Sequence, residues 1–407
     1  MKILLLCWRD TGHPEGGGSE RYLENVAEFL ADNGHQVVYR TAAYPGAPKQ
    51  NIRNNVVFSR GGGNITVYIR AWFAMLAARF GLGKIGRALG GKPDVVVDTQ
   101  NGVPFFARIF SGAPTVVLTH HCHKEQWPVA GKVKAKVGWF IESWASPRVH
   151  RNCEYITVSL PSADDLVALG VSGERITVIR NGISPIPEGL AEQLGAPGKL
   201  GVPGKLGEPG SEENIESKAS TVSKASPRLV TLSRLVPHKQ IEHAIDVVAA
   251  LEPIFPGIKL DIIGSGWWEA ELRHYVSVLE LEDHVVFHGQ VSEEEKHRIL
   301  SGASVHLMPS RKEGWGIAVI EAAQHGVPTV GYAASAGLRD SVIDGQTGIL
   351  ATTPHQLAEA TRKLLQTPEL YQEMSQAART RSKQFSWEHT GQAVLDLLND
   401  VASGQTH

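Results

Sequence analysis

The sequence predicts an α/β protein built from two doubly wound domains, each with a parallel β-sheet covered by helices. Two observations carry this prediction. Short β-rich runs alternate with helical stretches in both halves of the chain, and the runs lack the apolar–polar alternation of half-exposed strands. This pattern is typical of parallel sheets that are buried on both faces. A length of 407 residues also fits two domains better than one.

In the first half, seven apolar runs predict strands, and one long amphipathic stretch predicts a helix. The helix is expected at Arg21–Asn33, where apolar residues recur at helical spacing and Gly34 follows as a stop. The strands are expected at Lys2–Cys7, Gln36–Thr41, Val56–Ser59, Asp94–Asp98, Thr115–Thr119, Tyr155–Ser159 and Ile176–Ile179.

The second half repeats the pattern. Its predicted strands are Leu229–Leu232, Lys259–Ile263, Val285–His288, Val305–Met308 and Thr329–Tyr332. The predicted helices between them are Ile241–Leu251, Trp268–Leu281 and Glu293–Ser301. Ligands of open parallel sheets bind beyond the carboxyl ends of the strands, so we expect the two domains to face a central cleft.

The predicted boundaries divide the chain into four segments. Residues 1–185 and 228–385 form Rossmann-like N-terminal and C-terminal domains, and residues 386–400 form a helix expected to pack back on the first domain. Residues 186–227 form a Gly/Pro-rich insertion in which glycine recurs every third residue from Gly195 to Gly210. A flexible linker is favoured over a collagen-like trimer, because the repeat is short.

The composition is that of a globular protein, with 42% apolar and 20% charged residues. No apolar run approaches the ~20 residues that cross a bilayer. Cys7, Cys122 and Cys153 lie far apart and favour neither a disulfide framework nor a zinc site, so we expect a reducing cytoplasm. Residues 1–185 carry a formal charge of +7 and the remainder −9, which give the net −2. A basic first half favours an anionic surface or substrate, although ordinary scatter of charge explains it equally well.

The segment 311–330 places two carboxylates, Glu313 and Glu321, around the predicted start of a helix. Carboxylates only accept hydrogen bonds, so a pair facing one pocket indicates a ligand rich in hydroxyl groups. Gly314 and Gly316 let backbone N–H groups approach an anion at the helix start. Hydroxyl groups together with phosphate are what a nucleotide sugar presents. A loop glutamate and a solvated helix glutamate fit the spacing equally well.

Two further turns follow predicted strands. Arg234 and Lys239 lie five residues apart after the first strand of the second domain and can converge on one diphosphate. Gly17 and Gly18 belong to a glycine run after the first strand of the chain, where they allow close backbone approach to a ligand. Taken alone, two solvated cations and a tight turn explain these features.

Three histidines, His120, His121 and His123, follow the strand predicted at Thr115–Thr119. A metal site is disfavoured, because neighbouring side chains of an extended chain point to opposite faces and no carboxylate or cysteine cluster completes the ligand set. A histidine at the carboxyl end of a strand is better placed to contact a substrate hydroxyl.

Two regions of the first half combine apolar and basic residues. One holds Trp72, Phe73, Met75, Leu76, Phe80, Leu82 and Ile85 with Arg70, Arg79, Lys84 and Arg87, and the other holds Lys132, Lys134 and Lys136 near Trp139 and Phe140. Both regions fit contact with a membrane surface. Apolar core residues beneath solvated cations fit the composition equally well.

Taken together and in this order, the motifs resemble the retaining glycosyltransferases of family 4, which have the GT-B fold. The resemblance runs from residue 1 to about residue 400, outside the Gly/Pro-rich insertion. The motifs that carry it are Gly17-Gly18-Ser19-Glu20, Asn33-Gly34-His35, His120, Asn181-Gly182-Ile183, Ser233–Lys239, Gly264-Ser265-Gly266, Gly289–Ser292, Pro309-Ser310, Glu313 to Glu321 and Thr347–Leu350.

The resemblance implies a donor site for a nucleotide diphosphate sugar. Its residues are Gly17, Gly18, Arg234, Lys239, Gly264, Gln290, Val291, Glu313, Gly314, Trp315, Gly316, Ile317 and Glu321. Arg234 and Lys239 would hold the diphosphate. Glu321 would bind the ribose hydroxyls, and the backbone around Gln290 and Val291 would meet the base.

The catalytic residues implied by the resemblance are His120, Glu313, Arg234 and Lys239. Glu313 would contact the transferred sugar, and His120, preferred over His121, would lie near the reacting carbon. The favoured chemistry of the family is front-face attack, in which the leaving diphosphate draws off the acceptor proton. No protein nucleophile, metal or cofactor is then required beyond the nucleotide sugar as co-substrate.

The implied partners are a hexose donor, with UDP and GDP both compatible, and a hydroxyl acceptor, but no nucleic acid. The basic, aromatic-rich first domain favours a lipid-linked or membrane-proximal acceptor, and hence a cytoplasmic protein that can lie at the inner face of the membrane. The alternatives are a sugar-nucleotide epimerase or hydrolase on the same scaffold, and a catalytically silent binding protein. Two features depart from the family pattern: the insertion at 186–227 is longer than the usual link, and Trp315 stands where phenylalanine is commoner.

Overall fold

The computed structural model describes residues 1–14, 16–122, 127, 131–187, 189–190 and 226–405. The chain forms two compact units. One consists of Met1–Ser184 with Phe385–His407, and the other is Pro185–Gln384. Most of the Gly/Pro-rich insertion predicted at 186–227 lies outside the described residues.

The described residues of the first unit form an eight-stranded sheet. Its strands are β1 Lys2–Leu6, β2 Gln36–Thr41, β3 Gln50–Arg53, β4 Val56–Arg60, β5 Val95–Thr99, β6 Thr115–Thr119, β7 Glu154–Thr157 and β8 Ile176–Val178. They lie in the order β3-β4-β2-β1-β5-β6-β7-β8, and β3 pairs antiparallel with β4 while the other pairings are parallel. Ile3, Leu4, Leu5 and Leu6 of β1 are completely buried, as expected for a central strand that packs on both faces.

The helices of residues 1–184 are α1 Gly18–Asp32, α2 Thr66–Ala78, α3 Gly83–Ala88, α4 Ala107–Phe110, α5 Lys132–Phe140, α6 Ser146–Val149 and α7 Leu160–Ala168. A π-helical turn at Ile141–Ala145 joins α5 to α6. α1 buries Tyr22, Val26 and Leu30 along one face at helical spacing. Burial of each large apolar side chain stabilises the fold by about 1.5–3 kcal/mol relative to exposure.

Within the described part of the second unit, six strands form a fully parallel sheet. They are β9 Arg228–Leu232, β10 Lys259–Ile263, β11 Val285–Gly289, β12 Val305–Met308, β13 Thr329–Tyr332 and β14 Gly348–Ala351, in the order β11-β10-β9-β12-β13-β14. The helices are α8 Ile241–Leu251, α9 Glu269–Val278, α10 Glu293–Ser301, α11 Ile317–Gln324, α12 Ala336–Ser341, α13 Pro354–Gln366 and α14 Pro368–Ser382. Leu229, Leu260 and Val305 on neighbouring strands share one buried cluster with Ile245 and Val248 of α8.

The chain returns to the first unit in α15, Trp387–Ser403. This helix lies against α1, where Gly391 permits a close approach: a Cβ atom at Gly391 would lie 2.3 Å from Phe29 Cγ. The ring of Trp387 also packs edge-on against Tyr22. The helix expected at 386–400 is therefore part of the unit that contains residues 1–184.

Most predicted elements are confirmed to within three residues at either end, and the larger differences have physical reasons. The strand predicted to reach Ser159 ends at Thr157, because the Ser159 side chain caps α7. The helix predicted to reach Leu281 ends at Val278, because Glu280 adopts a left-handed conformation with a φ of 57°. Strands β3 and β14 were not predicted. Both are four-residue strands at a sheet edge, and the residues of β3 are exposed or half-buried and carry little apolar signal.

Candidate functional site

The second sheet has a topological switch point between β9 and β12. From β9 the chain proceeds to β10 and β11 on one side, and from β12 it proceeds to β13 and β14 on the other. Ligands of open α/β sheets bind at such points, beyond the carboxyl ends of the strands. The loop after β9 carries Arg234 and Lys239, and the loop after β12 carries Glu313, so the sheet brings the two loops to one edge.

Lys239 and Glu313 form an ion pair across this switch point. The Lys239 ammonium donates to Glu313 Oε1 at 2.5 Å, and only 12% and 9% of the two side chains are exposed. The 3₁₀ turn Pro237–Lys239 and the left-handed residue Gln240 set the position of the lysine before α8 begins. Because the pair is shielded from solvent, its electrostatic interaction is stronger than that of a surface pair.

His238 shows which charges surround the pair. Its pKa is lowered first by burial and then by Lys239, while Glu313 opposes the shift and Arg234 and Arg311 add to it. Three cations and one carboxylate therefore act on a single imidazole, and Arg234 itself is exposed. Arg311, which the sequence analysis did not assign to the site, joins the loops because its backbone N–H donates to the His238 carbonyl at 2.9 Å. The sequence feature that could have identified Arg311 was its position in the same loop, two residues before Glu313.

Glycines allow the loops at this edge to lie close together. A Cβ atom at Gly264 would lie 1.9 Å from the Ser233 carbonyl oxygen, and one at Gly266 would lie 2.1 Å from the Leu235 carbonyl oxygen. The φ of Gly264 is also 125°, a value that other residues rarely adopt. The loop after β10 thus needs glycine to pack against the loop that carries Arg234 and Lys239.

The start of α11 adds backbone groups beside Glu313. Gly316 is the N-cap of this helix and has a φ of 89°, while Trp315 before it is buried. Gly337, the second residue of α12, permits the start of that helix to approach, because a Cβ atom there would lie 2.5 Å from the Glu313 carbonyl oxygen. In the first turn the N–H of Val319 donates to the Gly316 carbonyl at 3.0 Å, and the helix dipole favours an anion at this end of the helix. Gly314 and Ile317 belong to the same segment.

Glu321 belongs to a second ion pair, which joins two helices of the second unit. It lies on α11 and accepts from the ammonium of Lys296 on α10 at 2.7 Å. Gln290 and Val291 come between β11 and α10, with Gln290 exposed and Val291 half-buried. Lys296 was not predicted, because it follows three glutamates in a stretch that has the composition of a solvated helix face.

The first sheet has its own switch point, between β1 and β5. Gly17 caps α1, which follows β1, and its N–H donates to Glu20 Oε2 at 2.8 Å. Glu20 is buried and also lies 3.4 Å from Arg9 Nε. Asn101, which follows β5, donates to Ser19 Oγ at 3.2 Å. The glycine turn and the start of α1 are therefore held by side chains from the segments that follow both strands of the switch point.

Gly18 occupies an open position in this turn. It is exposed, its φ is negative, and a Cβ atom there would have no atom within 4 Å. The fold of the unit thus gives no steric reason for glycine at this position, in contrast to Gly264. A ligand that approaches the backbone would give such a reason.

His120 follows β6 and is buried. Its backbone carbonyl accepts from Ser162 Oγ at 2.9 Å, and its ring packs edge-on against Tyr22 with 5.2 Å between ring centroids. His121 is half-buried, and His123 lies outside the described residues. Within the described ranges, no group of three or more histidine, cysteine, aspartate or glutamate side chains is arranged to hold a metal ion.

The first apolar and basic region divides into two parts. Met75 and Ile85 are core residues, whereas Phe73 and Phe80 are 69% and 74% exposed. Ile65, Ile69, Phe73, Leu76 and Phe80 follow one another at spacings of three or four residues along α2 and its ends, and all are exposed. Arg70, Arg79, Lys84 and Arg87 are exposed as well. None of the helices in the described ranges combines the length and the apolar character needed to cross a membrane.

Family models match both parts of the chain. The model described as glycosyltransferase family 4 matches residues 16–185, and the model described as glycosyl transferases group 1 matches residues 212–381. Together the two matched ranges cover more than four fifths of the chain.

Individual relatives extend this similarity. The glycogen synthase of Mycobacterium tuberculosis is 26% identical over the whole chain and 96% of its own length. The GDP-mannose-dependent alpha-(1-6)-phosphatidylinositol monomannoside mannosyltransferase of Mycolicibacterium smegmatis is 32% identical over 42% of this chain and 48% of its own. The structure of HepE from Anabaena in complex with UDP-glucose matches with a TM-score of 0.69 at 16% identity, over 98% of this chain and 100% of the other. At that identity the structural likeness shows the fold alone, which is GT-B.

Proposed function

The chain belongs to the glycosyltransferases of family 4 and group 1, and we propose that it moves a hexose from a nucleoside diphosphate sugar to a hydroxyl acceptor with retention of the anomeric configuration. The observation that carries the proposal is the shielded pair of Lys239 and Glu313 at the β9/β12 switch point, with Arg234 and Arg311 in electrostatic range of the same loop. This arrangement offers cations to a diphosphate and a hydrogen-bond acceptor to sugar hydroxyls.

In the proposed reaction, the acceptor oxygen bonds to the anomeric carbon as the bond from that carbon to the diphosphate oxygen breaks. The acceptor proton passes to the leaving phosphate oxygen on the same face of the sugar. Negative charge grows on this phosphate, and fixed cations stabilise it most while the bond breaks. Arg234 and Lys239 are proposed to supply these charges, and the backbone N–H groups of Gly314–Ile317 to supply further donors.

The ion pair need not separate to admit the donor. An ammonium group has three N–H donors, and a carboxylate has about four acceptor positions. Lys239 can therefore keep one hydrogen bond to Glu313 and donate others to the diphosphate. Glu313 in turn can accept from a hexose hydroxyl, which places the transferred sugar beside the cation.

Further residues keep the roles that the resemblance implies. Glu321 is proposed to bind the ribose hydroxyls, and the backbone at Gln290 and Val291 to meet the base. In the first unit, Gly17 and Gly18 are proposed to allow close approach of a ligand to the backbone, and His120 is proposed to contact the sugar. The open position of Gly18 supports this assignment, because the fold itself does not need glycine there.

The experiment that tests the proposal is a panel of nucleoside diphosphate sugars, scored by thermal shift and then by transfer. A ligand present at 100 times its Kd stabilises the folded protein by about 2.7 kcal/mol, so the correct donor raises Tm. The names of relatives leave both bases open, since one depends on GDP-mannose and another structure holds UDP-glucose. Absence of a shift with every donor, or an inverted product in nuclear magnetic resonance spectra, would contradict the proposal.

A sugar-nucleotide epimerase or hydrolase is the second candidate on this scaffold. It differs from a transferase in what it does with the donor alone. Efficient consumption of the donor without an acceptor would favour this second class, whereas turnover that requires an added hydroxyl compound would favour transfer.

For the acceptor, we propose a molecule at an anionic membrane surface. The exposed apolar residues along α2 combine with exposed arginines and lysines, a pairing that suits the boundary between acyl chains and anionic headgroups.

Phe73→Ser together with Phe80→Ser is expected to lower co-sedimentation with anionic vesicles at least fivefold, at about 0.8 kcal/mol per buried CH₂ group. The matched control is Val278→Ser, an exposed apolar residue of α9, which should leave vesicle binding unchanged. Equal loss in both variants, or equal binding to neutral vesicles, would contradict this part of the proposal.

A further inference from the structure

The ion pair of Lys296 has no part in the chemistry described above. The ammonium of Lys296 donates to Glu321 Oε1 and to Glu293 Oε2, both at 2.7 Å. Only 8% of the Lys296 side chain and 14% of the Glu321 side chain are exposed. Lysine is seldom buried unless it is paired, so the burial of this one depends on the carboxylates it contacts.

The neighbouring charges on α10 behave differently. Arg298 pairs with Glu294 and Glu295 on its own helix, and all three side chains are between 41% and 62% exposed. Such surface pairs contribute little and position nothing else. Lys296 instead reaches from α10 to α11, so it joins two separate elements of the second unit.

We propose that Lys296 is a positioning residue for nucleotide recognition, which holds the Glu321 carboxylate in the orientation that accepts hydrogen bonds from the ribose. The inference rests on the proposed function, in which Glu321 binds the ribose hydroxyls. Lys296 engages Oε1, and no described residue donates to Oε2, so Oε2 is the oxygen that a ribose hydroxyl meets. A fixed carboxylate loses less side-chain freedom on binding than a mobile one.

The charge of Lys296 also matters to an anionic ligand. A nucleoside diphosphate carries negative charge, and an unpaired Glu321 carboxylate that contacts its ribose would repel it. Lys296 neutralises that carboxylate without blocking both of its oxygens. Through its bond to Glu321, the same ammonium ties α11 to α10, whose start follows the turn at Gln290 and Val291 proposed to meet the base. Base and ribose positions are thereby linked through one side chain.

The expected kinetic signature follows from where the ribose lies in the substrate. The ribose is remote from the reacting carbon, so its contacts are equal in the ground state and the transition state. Loss of such contacts raises KM and leaves kcat unchanged. Lys296→Met keeps the apolar stem and removes the charge, and we expect a KM for the donor about tenfold higher with kcat within about twofold of wild type.

The decisive experiment is a binding cycle between Lys296 and the ribose hydroxyls. UDP or GDP, whichever the wild-type protein binds, is titrated by calorimetry beside its 2′-deoxy and 3′-deoxy forms. In the wild type we expect at least one deoxy form to bind roughly tenfold more weakly, the effect of one hydrogen bond to a charged group. In Lys296→Met we expect that penalty to fall to about threefold or less, and in Lys296→Arg to recover in large part.

Arg298→Met is the matched control, because it removes a cation with two glutamate partners from the same helix. It should leave both the affinity and the deoxy penalty unchanged. Lys296→Gln provides a second route should Lys296→Met fold poorly, since it also removes the charge that holds Glu321 and should reduce the deoxy penalty in the same way.

The outcomes separate the two proposals. A lower Tm in Lys296→Met with an undiminished deoxy penalty would show that Lys296 only stabilises the fold, and would overturn the inference. Wild-type binding with no penalty for either deoxy form would overturn it too, but would leave the proposed transferase intact. Wild-type protein that binds neither nucleotide would overturn the proposed function and this inference with it.

Discussion

The two sheets have the same kind of switch point but present different chemistry there. Between β1 and β5, the turn exposes glycine backbone, and its nearby carboxylate, Glu20, is committed to Gly17 and Arg9 inside the unit. Between β9 and β12, Lys239 and Glu313 meet across the turn with further cations nearby. The comparison teaches that topology fixes where a ligand can bind, whereas loop residues decide whether charge or bare backbone meets it.

The largest expected effect comes from removing the charged pair. Lys239→Met and Glu313→Gln should each lower kcat/KM by about 10²–10³-fold, because each removes a preorganised group at the developing charge. Each single change should also reduce stability, since it leaves one shielded charge without its partner. The double variant should regain stability but remain inactive. Steady-state kinetics and thermal melts measure both effects.

The matched control for this prediction is Arg273→Met, which breaks the exposed pair with Glu269 on α9 in the same unit. It should change neither rate nor Tm appreciably. Wild-type turnover in Lys239→Met or Glu313→Gln would remove the charged switch point from the mechanism.

A smaller effect is expected at the glycine turn of the first unit. Gly18→Ala should leave stability unchanged or raise it by up to about 1 kcal/mol, since alanine favours the helix and no atom lies in its way. Activity should nevertheless fall about tenfold if a ligand must approach the backbone there. Gly63→Ala is the control, because Gly63 is equally open. Full activity in Gly18→Ala would show that the first switch point has no binding role.

His238 offers a pH test with a smaller effect still. Burial and the adjacent cations lower its pKa below the ordinary value of 6.5, so between that lowered pKa and pH 6.5 the folded state binds fewer protons than the unfolded chain. The stability that neutral His238 contributes is complete above pH 6.5 and is lost as pH falls through the folded pKa. His238→Asn should therefore reduce the number of protons taken up on unfolding below pH 6.5 by a fraction of one. The rise of Tm with pH should be correspondingly less steep there. An unchanged slope in His238→Asn would contradict this.

The smallest expected effect is that of a metal chelator, which tests whether the cations of the second switch point suffice for the diphosphate. Arg234 and Lys239 are proposed to take the place of a divalent ion, so transfer should be unchanged within about twofold in excess chelator. Complete loss of transfer, restored by Mg²⁺, would refute this.

Much of the fold could be predicted, because buried parallel strands appear in the sequence as unbroken apolar runs. Strands such as Thr115–Thr119 and Lys259–Ile263 are found where they were expected. The charged loops were also visible, since Arg234, Lys239 and Glu313 come directly after such runs. That Lys239 and Glu313 meet in one shielded pair depends on strand order, which the sequence does not state.

Other features depend on packing that no local pattern encodes. Lys296 and Arg298 lie in one run of charges, and only the neighbouring α11 makes the first buried and the second exposed. In α2, Met75 and Phe73 are equally apolar, yet one packs into the core and the other is exposed. The helical spacing of apolar residues shows that α2 has two apolar faces. It does not show which of the two packs against the rest of the unit.

The return of α15 to the first unit has a consequence for biosynthesis. Trp387 and Gly391 pack against Tyr22 and Phe29, which leave the ribosome about 360 residues earlier. The second unit is contiguous in the sequence, so the nascent chain can complete it before α15, which packs against α1, has been synthesised. A chain released after translation stalls before Phe385 would therefore contain a complete second unit and a first unit that lacks α15. The apolar face of α1 that α15 normally covers would then be accessible to chaperones.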